Sequence, residues 1–472
     1  MLPASDAADE NNTDSKSVNA TILQPKCLAS TGVAFHGGGK GHRREEDSLG
    51  PRQETNFFKE AQFSADGTTV VTHNEDQRLR TFVIPQDLLD ETKQPHELSA
   101  HSDLASPSPV QSYALYPGFD LAELATTVIL SASTDVPIRL TNAISDNYLH
   151  ATYPHINPKT EAYIAPSSLA FINGGTHFVA GSKGLIAVFD SSRSGSGPIT
   201  TCKTKPKNPQ DAIYSMRDNS KITALIESRD GYLAAGSQNR VVGLFTNSGY
   251  GQCETAFSVA GDARQDKLDG TDGTGITSIA WSSDGTYLLI AERQSEIIHV
   301  YDVRNQCKRV AFCSGRKART TQKMGFSVVS TQTGYEVWAG GTDGCVRMWR
   351  NPGTFEGELK PEAELKMHDD AVSSAVWHPE GLVLATCSGQ RAVVDKEGDS
   401  ASDSGDDDKS NDEDNEDVNE SGIDVSSVST PAFVAAYRSG TAKRSNVLDN
   451  KLKIWSVRPE RIPRITCSTV IR

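Results

Sequence analysis

The chain has 472 residues, of which 36% are hydrophobic, 38 are glycine and eight are cysteine. Its longest apolar runs fall short of the roughly 20 residues that a membrane helix needs, and the cysteines show no C-x-x-C spacing, which argues against a membrane protein and a disulfide framework. Residues 395–424 hold 14 acidic residues and two lysines, a net of −12, so the remainder carries only −2 of the total −14. An almost neutral remainder can still present a basic face.

The N-terminal segment, residues 1–50, is rich in Asn, Ser, Asp and Gly, which predicts a disordered tail. Within it, Thr21–Phe35 is a candidate edge strand. The stretch Gly37–Gly41 lacks the G-x-x-x-x-G-K-[ST] spacing and a flanking strand and helix, so we interpret it as part of the tail and not as a phosphate-binding loop.

A repeating unit occupies residues 51–472. Its clearest copy has strands at Ile276–Trp281, Tyr287–Ala291 and Ile298–Asp302, with a turn at Ser283–Gly285. Because such sheets cannot bury both faces alone, they must stack radially, so the sequence predicts an all-β, seven-bladed WD-repeat β-propeller. The seven predicted third strands are Leu79–Phe82, Ile138–Thr141, Ile186–Phe189, Val242–Phe245, Ile298–Asp302, Val346–Trp349 and Leu452–Trp455.

Blade seven contains a long insertion. Its third strand ends at Trp455, 106 residues after Trp349, and the polar stretch 395–445 between them predicts an acidic disordered insertion. A second interpretation is that this segment competes electrostatically with an anionic ligand. Ser404 and Ser410 precede an acidic residue by three positions and are candidate phosphorylation sites. After the last blade, residues 465–471 are a candidate ring-closing strand.

Short polar residues recur three positions before the third strands. A side chain of this kind bonds nearby backbone N–H groups in a tight turn, so we assign these residues a structural role and not a catalytic one. The structural turn residues are Asp76, Asp135, Asn239, Asp343 and Asp449, while Lys183 and Ser295 stand at the same position in the other two blades.

Several segments between Asn56 and Trp455 carry more than the generic pattern of the repeat. They are Asn56–Lys59, Phe63–Gly67, Arg78–Pro85, Gly315–Arg316, Thr320–Lys323 and Leu384–Arg391. Together these segments resemble the telomerase Cajal body protein family and its fungal relatives. The resemblance implies a platform for box H/ACA-type guide RNAs, including telomerase RNA in animals, and delivery to Cajal bodies; for the fungal relatives it implies spliceosomal particles and pre-mRNA splicing. The glycine-histidine pair that often precedes a blade is mostly absent, and His368 is the nearest match.

Basic loops are the candidate RNA contacts. In propellers of this type, the loop that enters an inner strand and the turn between the second and third strands share one face, so the basic segments are expected to converge. Lysine and arginine bind phosphates with release of condensed counterions, and glutamine can bind base edges. The candidates are Lys203, Lys205, Lys207, Arg316, Lys317, Arg319, Gln322, Lys323, Gln390 and Arg391.

The histidines are scattered without metal-ligand spacing, so we expect no enzyme activity, metal, cofactor or small-molecule substrate. The predicted function is a scaffold for small nuclear RNA and ribonucleoprotein proteins, with other proteins bound at the propeller faces and without membrane association. The predicted location is the nucleus, at a Cajal-body-like site, with the cytoplasm as alternative. A substrate receptor of a cullin-type ubiquitin ligase stays open, because Tyr301–Arg304 resembles a WD-x-R docking box, as does a purely protein-binding scaffold.

Overall fold

The computed structural model describes residues 23–32, 53–54, 56–145, 148–207, 215–260, 273–390, 393–394 and 449–457. Over these ranges the regular structure consists of β-strands and short 3-10 turns, without an α-helix. The 3-10 turns are Glu91–Lys93, Asn173–Gly175, Asn247–Gly249 and Pro352–Thr354. None of these helical turns has the length or apolarity that a membrane crossing requires.

Seven antiparallel sheets of at least four strands form the blades, which we number along the chain and give from the inner to the outer strand. Blade 1 has Phe58–Phe63, Thr69–Asn74, Leu79–Val83 and Ser102–Leu104; blade 2 has Val110–Leu115, Val128–Ser133, Ile138–Asn142 and Leu149–Tyr153. Blade 3 has Ser168–Ile172, His177–Ser182, Leu185–Asp190 and Thr200–Lys203; blade 4 has Ile222–Glu227, Leu233–Ser237, Val241–Phe245 and Cys253–Ser258. Blade 5 has Ile276–Trp281, Tyr287–Glu292, Ile298–Asp302 and Lys308–Cys313; blade 6 has Phe326–Thr331, Gly334–Gly340, Cys345–Arg350 and Ala363–Lys366. Blade 7 has Val372–Trp377, Leu384–Ser388, Leu452–Ser456 and Lys26–Ser30.

Three further pairings extend this pattern. Gly357–Leu359 adds a parallel fifth strand to blade 5, and His96–Glu97 adds one to blade 7 beside Lys26–Ser30. Gln53–Glu54 pairs with Val393–Val394 in a separate two-stranded sheet.

The all-β, seven-bladed propeller expected from the sequence is confirmed. Each predicted third strand overlaps an observed third strand, and the aromatic residues that end them are buried. Blade 2 has no aromatic residue in its third strand, but Tyr153 of its outer strand packs edge-on against Phe178 of blade 3, with ring centroids 4.9 Å apart. An aromatic residue from another strand therefore fills the seam where the repeat is weakest.

Both ends of the described chain contribute to blade 7. Its outer strand is Lys26–Ser30, which pairs antiparallel with the third strand and places Cys27 opposite Trp455. The candidate edge strand in the N-terminal segment is therefore present, and the propeller boundary expected at residue 51 moves to include it. The candidate closing strand at residues 465–471 lies outside the described residues. The ring is closed by pairing distant segments, which local sequence patterns do not encode.

The second strands end in small residues because the next blade occupies the space of a side chain. In blades 3, 4 and 6, a Cβ atom on the glycine at the end of the second strand, or one residue before that end, would lie 2.7 Å from a Cγ atom of the residue that begins the next inner strand, which is closer than real Cβ contacts. The three pairs are Gly181 with Ile222, Gly236 with Ile276, and Gly340 with Val372. The small residues therefore allow neighbouring blades to pack tightly around the ring.

Hydroxyl groups of the inner strands join consecutive blades. Ser168 of blade 3 donates from Oγ to the carbonyl oxygen of Ile222 in blade 4 at 2.7 Å. Across the closing seam, Ser373 of blade 7 donates to the carbonyl oxygen of Phe58 in blade 1 at the same distance. These bonds satisfy buried backbone carbonyls where the inner strands converge.

Candidate nucleic-acid interface

Two kinds of connection meet on one face of the ring, which we call the upper face. They are the loops between an outer strand and the next inner strand, and the turns between second and third strands. In blades 3 and 4, the backbone N–H of Gln238 donates to the carbonyl of Lys221 at 2.9 Å. In blades 5 and 6, the N–H of Thr342 donates to the carbonyl of Lys317 at 2.7 Å. Both basic loops named from the sequence therefore lie on the upper face.

Arg316, one of the predicted RNA contacts, is buried within the loop between blades 5 and 6. Only 1% of the residue is exposed, and its guanidinium donates from Nε to the carbonyl of Gly340 at 2.9 Å and from Nη2 to that of Gly325 at 3.2 Å. Burial, and next the neighbouring Arg347, lower the pKa of Arg316 to about 10, so it remains protonated near neutral pH. A guanidinium in this position stabilises blade 6 and cannot reach an external phosphate, so we remove Arg316 from the contact set.

The other candidates of this loop fall into two groups. The side chains of Lys317 and Arg319 are each 66% exposed, with long contacts of 3.7 Å to Asp343 and 3.6 Å to Glu296. Such exposed pairs hold their partners weakly, so both cations remain accessible to a ligand.

Gln322 and Lys323 instead reach across the ring. Nε2 of Gln322 donates to the carbonyl of Gly389 in blade 7 at 3.1 Å, and Lys323 Nζ lies 2.9 Å from Glu60 Oε2 in blade 1. Gln390 follows Gly389 and is partly exposed, whereas Arg391 lies outside the described residues. These contacts connect the loop to blades 7 and 1 and occupy part of its hydrogen-bonding capacity.

A cluster of accessible positive charge surrounds an open groove between blades 3 and 4. Lys183, Lys205, Arg217 and Lys221 line it and are exposed. Lys183 occupies the turn of blade 3 and forms an antiparallel bridge with Lys221 from the loop that enters blade 4, which explains why their side chains share the groove. Lys203 and Lys207, also predicted as contacts, are exposed on either side of Lys205.

Among the described residues, one carboxylate, three amides and the hydroxyl of Ser220 also line this groove. Asp218 is buried; its burial favours the neutral acid, but hydrogen bonds from Ser220, Ser237 and Asn239 outweigh this and lower the pKa of Asp218. The hydrogen bonds from Ser220 Oγ and Asn239 Nδ2 measure 2.6 and 2.9 Å. The amide side chains are Asn219, Gln238 and Asn239. Lysines and arginines with amides beside them offer ligands for phosphates and for base edges.

Sequence reasoning missed three residues of this groove, namely Lys183, Arg217 and Lys221. A signal for Lys183 was available, because it is the only lysine among the seven turn positions, where four other blades have aspartate. A lysine at this position cannot accept hydrogen bonds from the backbone N–H groups of the turn, so it does little to stabilise the turn itself. Arg217 and Lys221 are separated along the chain and had no comparable signal.

The predicted turn residues form contacts that hold the upper face together. Asp76 accepts from Arg80 and from Asn56, and Asp343 accepts from Arg347 Nη2 at 2.7 Å. Asp135 adopts a left-handed backbone with φ 61°.

Asp449 takes part in the most extended network, in blade 7. Its Oδ2 atom lies 3.1 Å from Nδ1 of buried His368, whose Nε2 lies 2.7 Å from Thr386 Oγ1. Trp455 Nε1 also donates to Thr386 Oγ1, at 2.8 Å. Burial lowers the pKa of His368. Burial alone would raise the pKa of Asp449, but its hydrogen bonds, above all the one with His368, outweigh this effect and lower that pKa. The network joins the outer loop, the second strand and the third strand of the closing blade.

Within the described ranges, one group of potential metal ligands lies together, namely Asp343, Cys345 and Glu364. Both carboxylates already bind Arg347, at 2.7 Å from Asp343 and 2.9 Å from Glu364. The arrangement is an ion-pair network on a blade edge.

The segment that resembles a ligase docking box lies on the opposite, lower face, where first-to-second and third-to-outer strand turns occur. Arg304 folds back on Asp302, with Nη2 3.0 Å from Oδ2, and its guanidinium lies 5.6 Å from the ring centre of Tyr287. The candidate phosphorylation sites Ser404 and Ser410, and the acidic insertion around them, are outside the described residues.

Comparison with known proteins supports this architecture. The family described as WD domain, G-beta repeat matches residues 264–302 and 359–394. Guanine nucleotide-binding protein negative regulator 1 of Schizosaccharomyces pombe is 29% identical over 309 residues, covering 65% of this chain and 73% of that protein. Telomerase Cajal body protein 1 of Bos taurus is 26% identical over 344 residues, covering 72% of this chain and 59% of the relative.

A further relative is Protein SWT21 of Vanderwaltozyma polyspora, 24% identical over 269 residues, which cover 56% of this chain and 60% of that protein. The alignment with the bovine telomerase Cajal body protein leaves about two-fifths of that relative unmatched. The resemblance indicated by the sequence is confirmed, and the chain is a seven-bladed WD-repeat propeller related to the telomerase Cajal body proteins and to Protein SWT21.

Proposed function

We propose that this propeller is a non-catalytic nuclear scaffold that binds small nuclear RNA on its upper face and holds it beside ribonucleoprotein proteins. The observation on which the proposal depends is the groove between blades 3 and 4, where the described lining has four exposed cations around one hydrogen-bonded carboxylate. Clustered cations of this kind gain binding free energy from counterion release, and the neighbouring amides can bind unpaired bases.

Lys317 and Arg319 extend the positive surface to the loop between blades 5 and 6. Both are on the upper face, and their carboxylate partners lie more than 3.5 Å away. An RNA strand bound in the groove would have to run along the upper face, from blade 4 to the loop between blades 5 and 6, to contact Lys317 and Arg319. We therefore assign the principal phosphate contacts to the groove and a smaller contribution to Lys317 and Arg319.

The names of relatives agree with this assignment. Telomerase Cajal body protein 1 is named for a ribonucleoprotein enzyme and a nuclear body. These names favour RNA over other polyanions as the ligand and the nucleus as the location. Guide RNA, telomerase RNA and the RNA of spliceosomal particles are distinguished by sequencing the bound RNA.

Ultraviolet crosslinking in cells followed by sequencing of the recovered RNA tests the proposal. We expect enrichment of small nuclear RNAs, with crosslinked peptides from the segments around Lys205 and Lys221. In vitro, affinity for a short single-stranded RNA should fall steeply with salt, by a logarithmic slope of about 0.7 for each phosphate contacted. Crosslinks confined to the lower face, or a salt-independent affinity, would refute the proposed site.

A protein-binding role without RNA is the second candidate, favoured by the name of the Schizosaccharomyces pombe relative, which refers to regulation of a guanine nucleotide-binding protein. For a ligase receptor, the docking arginine would be Arg304, whose guanidinium is already bound to Asp302. Pulldown of ligase adaptor proteins by the wild-type chain and by Arg304→Ala would separate this role from RNA binding, since the substitution lies on the face opposite the groove.

A further inference from the structure

The seam between blades 1 and 2 contains an open groove that is separate from the basic upper-face groove. Blade 1 has the shortest outer strand of the seven, Ser102–Leu104, which pairs only with Leu79–Thr81. Because this strand covers little of the seam, a cavity of about 280 Å³ remains between the blades. The outer side of the groove is bordered by Leu149, which is 46% exposed.

The walls of this groove are mainly aliphatic. Blade 1 contributes Leu79 and Leu104, and blade 2 contributes Val110, Ile129 and Leu149. Small hydroxyl side chains line the rest, including Ser106 and Ser133, whose Oγ atoms lie 2.7 Å apart. Such a surface gains free energy when an apolar side chain displaces water from it.

Among the described residues, Arg139 is the one charged residue that lines the groove. Its Nε atom is shielded from solvent and has no hydrogen-bond partner among the described residues, and no carboxylate of those residues pairs with its guanidinium. A buried donor without an acceptor costs free energy, which a carboxylate from a ligand would recover by a charge-assisted bond.

We propose that this groove binds a segment of a partner protein that presents a carboxylate beside aliphatic side chains. The aliphatic walls disfavour RNA, whose backbone offers repeated phosphates where the groove has a single cation, and a free phosphate would leave those walls wet. An Asp or Glu flanked by Leu, Ile or Val satisfies both features. The inference goes beyond RNA binding and stands whether or not the upper face binds RNA.

Photocrosslinking on the full chain tests the proposal. A p-benzoylphenylalanine is placed at position 149 in the groove, and at position 382 in a control, because Leu382 is equally exposed, at 45%, but lies in blade 7. The probe is a pool of pentapeptides with Asp or Glu between two aliphatic residues, compared with a matched pool containing Asn or Gln. We expect at least fivefold more crosslinking of the acidic pool at position 149 than at position 382, and little crosslinking of the amide pool.

Two substitutions test whether Arg139 binds the carboxylate of the peptide. They are Arg139→Gln and, as a control on an exposed turn of blade 4, Arg229→Gln. We expect Arg139→Gln to weaken the Kd of the captured acidic peptide at least fivefold with an unchanged Tm, Arg139→Lys to restore part of the affinity, and Arg229→Gln to have no effect. Equal yields from the acidic and amide pools, or from positions 149 and 382, would overturn the proposal. So would crosslinking that appears only when residues 395–445 are removed, because the groove would then be occupied by this chain's own acidic segment.

Discussion

The two basic loops of the upper face differ in how much of their charge reaches solvent. Between blades 5 and 6, Arg316 is buried against the carbonyls of Gly325 and Gly340. Between blades 3 and 4, Lys205 and Lys221 are exposed along an open groove. The compact run of basic residues in the first loop is thus partly a structural support, whereas the more dispersed lysines form the accessible site. Density of charge along a sequence does not measure density of charge on a surface.

Acid pH should lower the stability of the ring through two buried histidines. Burial lowers the pKa of His73 to about 3 and that of His155 to about 4. Below pH 6.5 these two histidines are therefore protonated in the unfolded chain but stay neutral in the folded chain. The free energy of unfolding thus falls as the pH falls, with a limiting slope of about 1.4 kcal/mol per pH unit for each histidine. Between pH 6.5 and 5 these two residues together should cost about 3 kcal/mol, because the unfolded histidines are already half protonated at pH 6.5.

Urea denaturation at several pH values measures this effect, and RNA affinity is measured on the protein that stays folded. His155→Phe, which keeps a ring against Phe189, should make the pH dependence shallower. A free energy of unfolding that is constant from pH 7 to 5 would contradict the assignment of these histidines as buried and neutral.

Removing the buried arginine should affect stability far more than removing its exposed neighbour. Arg316→Leu leaves two buried carbonyls without a donor, so we expect the free energy of unfolding to fall by about 3 kcal/mol. Arg319→Leu, in the same loop, should change it by less than about 0.5 kcal/mol. Chemical denaturation of both variants provides the measurement, and equal effects would show that the two side chains do not differ in burial.

Neutralising the lysines of the open groove should weaken RNA binding and leave the stability of the fold unchanged. We expect Lys183→Gln, Lys205→Gln and Lys221→Gln together to weaken RNA affinity at least about tenfold at physiological salt, and to make the logarithmic salt slope shallower by roughly 2. Stability should be unchanged, since all three side chains are exposed. The matched control neutralises Arg193, Arg229 and Lys308 on the lower face, and an equal loss of affinity there would indicate a non-specific charge effect.

Lys317→Gln with Arg319→Gln should weaken RNA affinity less, by about two- to threefold, since exposed partly paired cations contribute little each. Filter binding with the RNA used for the groove variant allows direct comparison. If this double variant loses more affinity than the groove variant, the loop between blades 5 and 6 is the principal contact and the comparison is reversed.

Removal of the acidic segment should have the smallest effect. Its flanking residues Gly389 and Asp449 lie on the upper face, near Gln322 and His368. Screening limits electrostatic effects to about 8 Å at physiological salt, so the segment can act only because it is tethered there. Replacing residues 395–445 by a short Gly-Ser turn should raise affinity for random RNA slightly more than for the RNA recovered by crosslinking. Identical affinities for the shortened and intact chains, at low and physiological salt, would leave the segment without a competitive role.

Local patterns were sufficient to predict the repeating elements because each depends on a short-range rule. The strand alternation recurs with each blade, and turn residues such as Asp343 and terminal aromatic residues such as Trp349 recur in most blades. The same patterns placed the basic loops near the second-to-third strand turns. They did not predict the lysine turn residue Lys183 as a binding residue, because its partners Lys205 and Lys221 approach it only after blades 3 and 4 have formed.

The sequence by itself determined seven blades, the order of their strands and the family resemblance, since hydrophobic alternation and turn chemistry act over a few residues. Only the tertiary structure decided that Lys26–Ser30 completes blade 7 and that Arg316 is buried. The first depends on the free edge of the strand Leu452–Ser456, which lies more than 400 residues away from Lys26–Ser30 along the chain. The second depends on which backbone carbonyls lie opposite a loop side chain once the blades have packed. A buried carbonyl without a hydrogen-bond donor costs free energy, and this cost favours burial of the Arg316 guanidinium beside such carbonyls.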